Sequence, residues 1–383
     1  MFDFDKVVDR SQSDSNKWRK YAGKDVLPLW VADMDFPSPP AIIDALRERL
    51  EHGVFGYPEA TPELVMTLVN AMVREYNWQI SPEWLVPLPG LVVGLNVACR
   101  ATGGAHDPVL TATPVYPPFM SAPVLSQRPL VRVPLLEADR ADGTHWAWDI
   151  DRLVSSLGPG QNTLMLCHPH NPVGRVWRTE ELQQLAAVAE RHDLTVVSDE
   201  IHCDLILDKE LKHVPFAALS PEMAQRTITL MAPSKTWNVP GLGASFAIIA
   251  NPELRKRFTD VMRGIVPHTN LFGYVACEAA YRDGGPWRAE LLDVLRRNRD
   301  LVMSELDGFE GVRVTRPEAT YLAWIDCRAT GIDNPFQFFE AAGVGLSDGV
   351  DFGLRGFVRL NFGCPLSTLQ EALKRMRKAL SER

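Results

Sequence analysis

Four short segments carry side chains that could do chemistry together, and each follows a run of apolar, largely β-branched residues. His168-Pro169-His170-Asn171-Pro172-Val173-Gly174 comes after Thr163–Cys167, and Asp199-Glu200-Ile201-His202 after Thr195–Ser198. Ser234-Lys235-Thr236-Trp237-Asn238 comes after Thr227–Met231, and Pro114-Val115-Tyr116-Pro117-Pro118-Phe119 after Val109–Ala112. In parallel α/β sheets, reactive groups gather just past the carboxyl ends of the strands. An asparagine, an acid, a lysine and an aromatic at such ends form a set that one cofactor would use. Pyridoxal phosphate needs a lysine to bond its aldehyde carbon and a carboxylate to keep its pyridine nitrogen protonated. It also gains from a flat aromatic on its ring face and a donor to its phenolic oxygen. A phosphate site is available where Pro89-Gly90-Leu91 follows Leu85–Leu88 and opens a helical stretch, Val92 to Arg100, because helix-initial amides are free to bind an anion.

The elements that must hold these residues are legible in outline. Strand-like runs lie at Val109–Ala112, Leu130–Val133, Thr163–Cys167, Thr195–Ser198, Thr227–Met231 and Ser245–Ile249. They are short and continuously apolar, as strands covered by helices on both faces should be. Glu180–Glu190 repeats its apolar residues at three and four, with acids in its first turn, which predicts a helix. Strand, helix, strand in succession predicts a mostly parallel α/β sheet, with a large domain over 46–284. The last hundred residues read as a smaller α+β domain, formed by 1–45 and 285–383. They comprise a charged helix from Trp287 to Leu306, strands at Val312–Val314, Tyr321–Ile325 and Gly356–Asn361, and a terminal helix.

Composition excludes several classes. The 383 residues are 46% hydrophobic and 23% charged, with a formal charge of −8, so a disordered chain and a nucleic-acid binder are both disfavoured. The basic run Leu373–Lys378 reads as the solvated face of the last helix. No stretch approaches the roughly 18–20 apolar residues of a membrane span, and the acidic start Met1–Lys6 does not resemble a signal peptide. Six scattered cysteines without a C-x-x-C pair suggest reduced thiols in a cytoplasm. Cys167, His168, His170, His202 and Cys203 fit no standard zinc spacing, so no metal is expected. Each residue also has a plainer reading: Asp199-Glu200 as a helix start, Asn171-Pro172 as a tight turn, and Tyr57 and Tyr116 as interface and core aromatics.

Asn171-Pro172 with Gly174, Asp199-Glu200 and Ser234-Lys235, in that order, resemble the three signatures of fold-type I pyridoxal-phosphate enzymes, the aspartate aminotransferase superfamily. Leu27–Phe36, Asp199–Leu205, Ser234–Asn238 and Arg359–Gly363 resemble more narrowly the MalY/PatB-type cystathionine β-lyases, from about Leu27 to Pro365. The resemblance implies that Lys235 carries the cofactor and moves the substrate Cα proton, that Asp199 pairs with the pyridine nitrogen, and that Asn171 reaches the phenolic oxygen. It implies that Tyr116 stacks on the ring and that Leu91, Val92 and Ser234 hold the phosphate. Tyr57, in Phe55-Gly56-Tyr57-Pro58, would serve the neighbouring subunit's phosphate region, which implies a homodimer with active sites at the interface. Arg359 would bind the substrate carboxylate, joined by Asn171 and Ala32. Two departures from the transaminase pattern stand out. His202 replaces a tyrosine near the phenolic oxygen, where it would tune or pack beside the cofactor, and Gly243 replaces a phosphate-binding arginine. The activity implied is carbon–sulfur β-elimination on L-cystathionine and related cysteine S-conjugates, to a thiol, pyruvate and ammonia. An aminotransferase would share every cofactor residue, and a ligand-sensing regulator on the same scaffold is a third reading, disfavoured by the lack of a basic DNA-binding extension.

Overall fold

The computed structural model describes residues 2–140, 143–160 and 163–383. Seven strands form its main sheet: β1 (Leu85–Leu88), β2 (Val109–Thr113), β3 (Leu130–Pro134), β4 (Thr163–Cys167), β5 (Thr195–Asp199), β6 (Thr227–Met231) and β7 (Ser245–Ile248). Their spatial order is β1-β7-β6-β5-β4-β2-β3. Neighbours from β6 through β3 are parallel, while β7 runs antiparallel to both β1 and β6. The expected mostly parallel α/β sheet is therefore present, with one inner strand reversed. Strands β2, β4, β5 and β6 are buried along their whole length, which is why their sequences are apolar without alternation.

Helices close the two faces. Between β4 and β5 lies α2, Thr179–Arg191; preceding it in the chain is α1, Leu91–Ala101. In α2 the Glu181 carboxylate accepts the Arg178 backbone N–H at 2.8 Å, satisfying one free donor at the helix start. Its buried face carries Leu182, Leu185, Val188 and Ala189, and each of the three larger side chains contributes roughly 1.5–3 kcal/mol by leaving water. Helix α1 lies close against the sheet because Gly94 has no side chain: a Cβ there would sit 3.0 Å from Leu88 Cδ1 and 3.2 Å from Leu230 Cδ2. The α1 N-terminus lies at the carboxyl end of β1, which it follows directly in the chain.

A second sheet has the order β8-β9-β11-β10, with β8 Arg313–Thr315, β9 Leu322–Asp326, β10 Ser347–Asp348 and β11 Phe357–Asn361. All its pairings are antiparallel. Helices α3 (Gly285–Leu306) and α4 (Leu366–Ser381) pack on one another beside it. The N-terminal segment joins this region by pairing Leu27 and Pro28 in parallel with Val344 and Gly345. Among the described residues, no helix is long and apolar enough to cross a membrane.

Candidate active site

The carboxyl ends of β4, β5 and β6, the α1 N-terminus and one residue of β11 meet around a cavity of about 290 Å³. Ala32, Leu91, Val92, Tyr116, Asn171, Asp199, His202, Ser234, Lys235 and Arg359 all line it. Tyr57, the other residue to which the resemblance gives a site role, does not; its side chain is wholly exposed.

Asp199 ends β5 and is 4% exposed. Its Oδ1 accepts the Ile201 N–H at 3.1 Å, yet burial and the adjacent Glu200 push its carboxyl up to about 7. Glu200 points the other way, into the protein. It accepts from Ser198 Oγ at 2.8 Å and Phe216 N at 3.0 Å, and pairs with His213 Nε2 at 2.6 Å. The two neighbouring acids thus differ in kind: Glu200 is saturated, whereas Asp199 is a buried carboxylate with a single backbone donor and no ion pair among the described residues.

Lys235 follows β6 and donates to the Ala32 carbonyl at 2.6 Å. Burial, then the positive charge of Arg359, lowers its amine to about 8, and Asp33 and Asp199 oppose that shift. His202 occupies the turn after β5. Burial, with Lys235 and Arg359 nearby, lowers it to about 3, so its imidazole is neutral, and Nδ1 is buried without a partner among the described residues.

Arg359 enters from β11. Its Nη1 donates to Asn171 Oδ1 at 3.0 Å and its Nη2 to the Trp30 carbonyl at 2.9 Å, and its guanidinium stacks 4.7 Å from the Phe352 ring centroid. It is 5% exposed, has no acidic partner among the described residues, and leaves Nε unpaired. Burial lowers it to about 10. A buried cation without an anion is costly and marks a place for one. Tyr116 is tied to the same cluster by its N–H, which donates to the Asn171 carbonyl at 3.0 Å.

At the other end, α1 begins at Leu91 after Gly90, and among the described residues no side chain caps its first amides. Gly243 lines this end too, with φ +61°, and a Cβ there would lie 3.1 Å from the Pro89 carbonyl. The glycine is therefore dictated by backbone conformation, and an arginine in its place would be strained.

Three residues escaped the sequence reading. Tyr321 donates its hydroxyl to the Ala32 carbonyl at 2.9 Å. The Asn361 amide holds the Val31 and Asp33 carbonyls at 2.7 Å each. Asn238, three residues after Lys235, accepts from Met34 N at 2.9 Å and donates to the Met34 and Phe36 carbonyls. Only the proximity of Asn361 to Arg359 and of Asn238 to Lys235 could have flagged them.

Comparison with known proteins agrees with this geometry. The model for "Aminotransferase class I and II" matches residues 24–376. Cystathionine beta-lyase PatB of Bacillus subtilis (strain 168) is 39% identical, over 99% of this chain and all of its own. The crystal structure of OvoB superposes with a TM-score of 0.96 at 48% identity, covering both chains completely. The PLP-bound C–S lyase from Staphylococcus hominis superposes with a TM-score of 0.91 at 30% identity, over 99% of this chain and 98% of that one. With the family's match running through every segment that lines the cavity, the chain belongs to the aminotransferase class I and II family, in its MalY/PatB-type branch.

Proposed function

We propose that the protein is a pyridoxal-phosphate-dependent carbon–sulfur β-lyase that cleaves L-cystathionine and related cysteine S-conjugates to a thiol, pyruvate and ammonia. The observation that carries this reading is full-length similarity to a cystathionine β-lyase, joined to a cavity that places Lys235 and Asp199 with a buried arginine that has no acidic partner among the described residues.

The residues present fit pyridoxal phosphate. Asp199, buried and short of partners, suits a protonated ring nitrogen; Lys235 suits the aldehyde; the uncapped α1 amides with Ser234 suit the phosphate. Asn171 and Tyr116 offer a polar amide and a flat face between them. When bound, the cofactor supplies an electron sink that stabilises negative charge at the substrate Cα. Arg359 takes the substrate carboxylate in its two-pronged donor geometry, with Asn171 and Ala32 beside it. Lys235, its amine already lowered to about 8, is neutral often enough near neutral pH to accept the Cα proton. The neutral imidazole of His202 fills the space beside Lys235 without adding a charge that would repel the ammonium. Val31, Leu91, Ile201 and Ala232 complete an apolar wall that limits water.

Tyr57, with its exposed neighbours Val54 and Phe55, supports a homodimer in which this tyrosine serves the other subunit's phosphate site. Light scattering at twice 42.8 kDa would support it. Six free, buried cysteines support a reducing cytoplasm. The two sheets, lying wholly within 46–284 and 285–383, support the two-domain division.

The deciding experiment mixes protein reconstituted with pyridoxal phosphate and L-cystathionine, without keto acid. Sustained, equal release of pyruvate and thiol is expected. A single-turnover shift to the pyridoxamine spectrum without pyruvate would replace the lyase by an aminotransferase.

A further inference from the structure

Segment 29–36 does more than close one wall of the cavity. It is strapped from both sides: Leu29 N donates to the Gly345 carbonyl at 2.7 Å and Asp35 N to the Gly363 carbonyl at 2.9 Å, while Asn238, three residues after Lys235, grips Met34 and Phe36. Held in this way, the Ala32 carbonyl accepts Lys235 Nζ at 2.6 Å and the Tyr321 hydroxyl at 2.9 Å. A carbonyl oxygen has two lone pairs, so both are used.

Asp33 is the next residue. Its Oδ2 accepts from Arg10 Nη2 at 2.7 Å, while its Oδ1 is buried without a hydrogen-bond partner among the described residues. Asp35, two residues on, is far better supplied, with Arg10, Lys17 and Trp18 all donating to it. Asp33 therefore has Arg10 as its one counter-ion among the described residues. The charged groups that act on Lys235 come from three elements: Asp33 from this segment, Asp199 from the end of β5 and Arg359 from β11, with neutral His202 beside them. Arg10 lies outside the cavity and is 23% exposed on its side chain.

We propose that the Ala32 carbonyl, fixed by Tyr321, is the berth on which the Lys235 amine rests whenever it is not bonded to the cofactor, and that the Arg10–Asp33 ion pair is a positioning pair that sets how firmly the amine holds a proton there. The inference rests on the reading of Lys235 as the cofactor-bearing residue. Asp33 favours the ammonium, and Arg10 moderates Asp33 from outside the cavity. The pair thus acts on the proton acceptor without touching substrate or cofactor.

The two members of the pair predict opposite shifts, which general loosening of the segment would not. The measurement is competitive labelling of cofactor-free protein with trace acetic anhydride across pH, read by mass spectrometry on the peptide that carries Lys235. Asp33→Asn is expected to lower the pH at which Lys235 becomes reactive by about one unit, and Arg10→Gln to raise it by a similar amount. Arg10→Lys, which keeps the charge, should return it to the wild-type value. Shifts of the same sign in Asp33→Asn and Arg10→Gln, or no shift in either, would overturn the proposal. Should Asp33→Asn fail to fold, the Arg10 variants decide alone: an upward shift reversed by lysine supports the pair, and an unmoved titration refutes it. Borohydride fixation of pyridoxal phosphate in the wild type, read on the same peptide, tests the Lys235 assignment separately. A missing adduct there would remove that assignment and leave the titration result standing.

Discussion

Arg359 on the second sheet donates to Asn171 Oδ1 at the end of β4, a 3.0 Å hydrogen bond between residues 188 positions apart. It joins the group proposed to hold the substrate carboxylate to the group proposed to hold the cofactor. Substrate and cofactor are thereby registered against each other by one buried bond.

Arg359→Lys should raise KM by about 10- to 100-fold, since an ammonium cannot supply two parallel donors and charge-assisted hydrogen bonds contribute about 1.5–3 kcal/mol. Cofactor affinity should change far less. Steady-state kinetics beside equilibrium cofactor titration separates the two, and an equal loss in both would contradict the assignment of Arg359 to substrate.

Asp199→Asn should act with opposite signs on stability and on cofactor retention. The carboxyl is raised from 3.8 to about 7, so the folded cofactor-free protein holds its proton longer than the unfolded chain does. The Asp199 contribution to stability is therefore full below about pH 4 and lost as pH rises through about 7. At pH 8 the cofactor-free variant should be more stable than the wild type, by about 1–4 kcal/mol. Urea unfolding at pH 5.5 and 8 reads this. Retention of pyridoxal phosphate on dialysis should fall, because the buried partner for the ring nitrogen has lost its charge.

Covalent capture of pyridoxal phosphate by the cofactor-free protein requires the neutral Lys235 amine. With that amine lowered to about 8, the capture rate should climb about tenfold per pH unit below 8 and level off above it. Stopped-flow absorbance follows the rate. A climb that continued to pH 10 would mean that burial does not lower the amine. Lys235→Ala should abolish capture and cut turnover by roughly 10³-fold or more.

Gly243→Arg, which imitates the transaminase pattern, should weaken cofactor binding instead of strengthening it. The left-handed backbone costs any side chain about 1–2 kcal/mol, and its Cβ meets the Pro89 carbonyl at 3.1 Å. Gly243→Ala should show most of that loss in Tm. Tighter cofactor binding by the arginine variant would refute the conformational explanation.

The sequence by itself determined the inner strands of the main sheet, because a strand buried on both faces must be apolar throughout, and it determined the residues just past their ends, because those lie within a few positions of the strands that carry them. Asn171, Asp199 and Lys235 were legible for that reason, and so was the helix start at Leu91. The reversal of β7 was not legible, since buried strands read alike in either direction. Tertiary structure alone brought Arg359 to Asn171, laid Ala32 beneath Lys235 and Tyr321, and paired Asp33 with Arg10. These pairings join residues that are 23 to 289 positions apart. Such contacts leave no local period or spacing behind, because their register is set by how the second sheet and the N-terminal segment pack onto the first. Gly243 shows the same divide: its identity was plain from the sequence, and its reason lies in a backbone angle that only the folded chain displays.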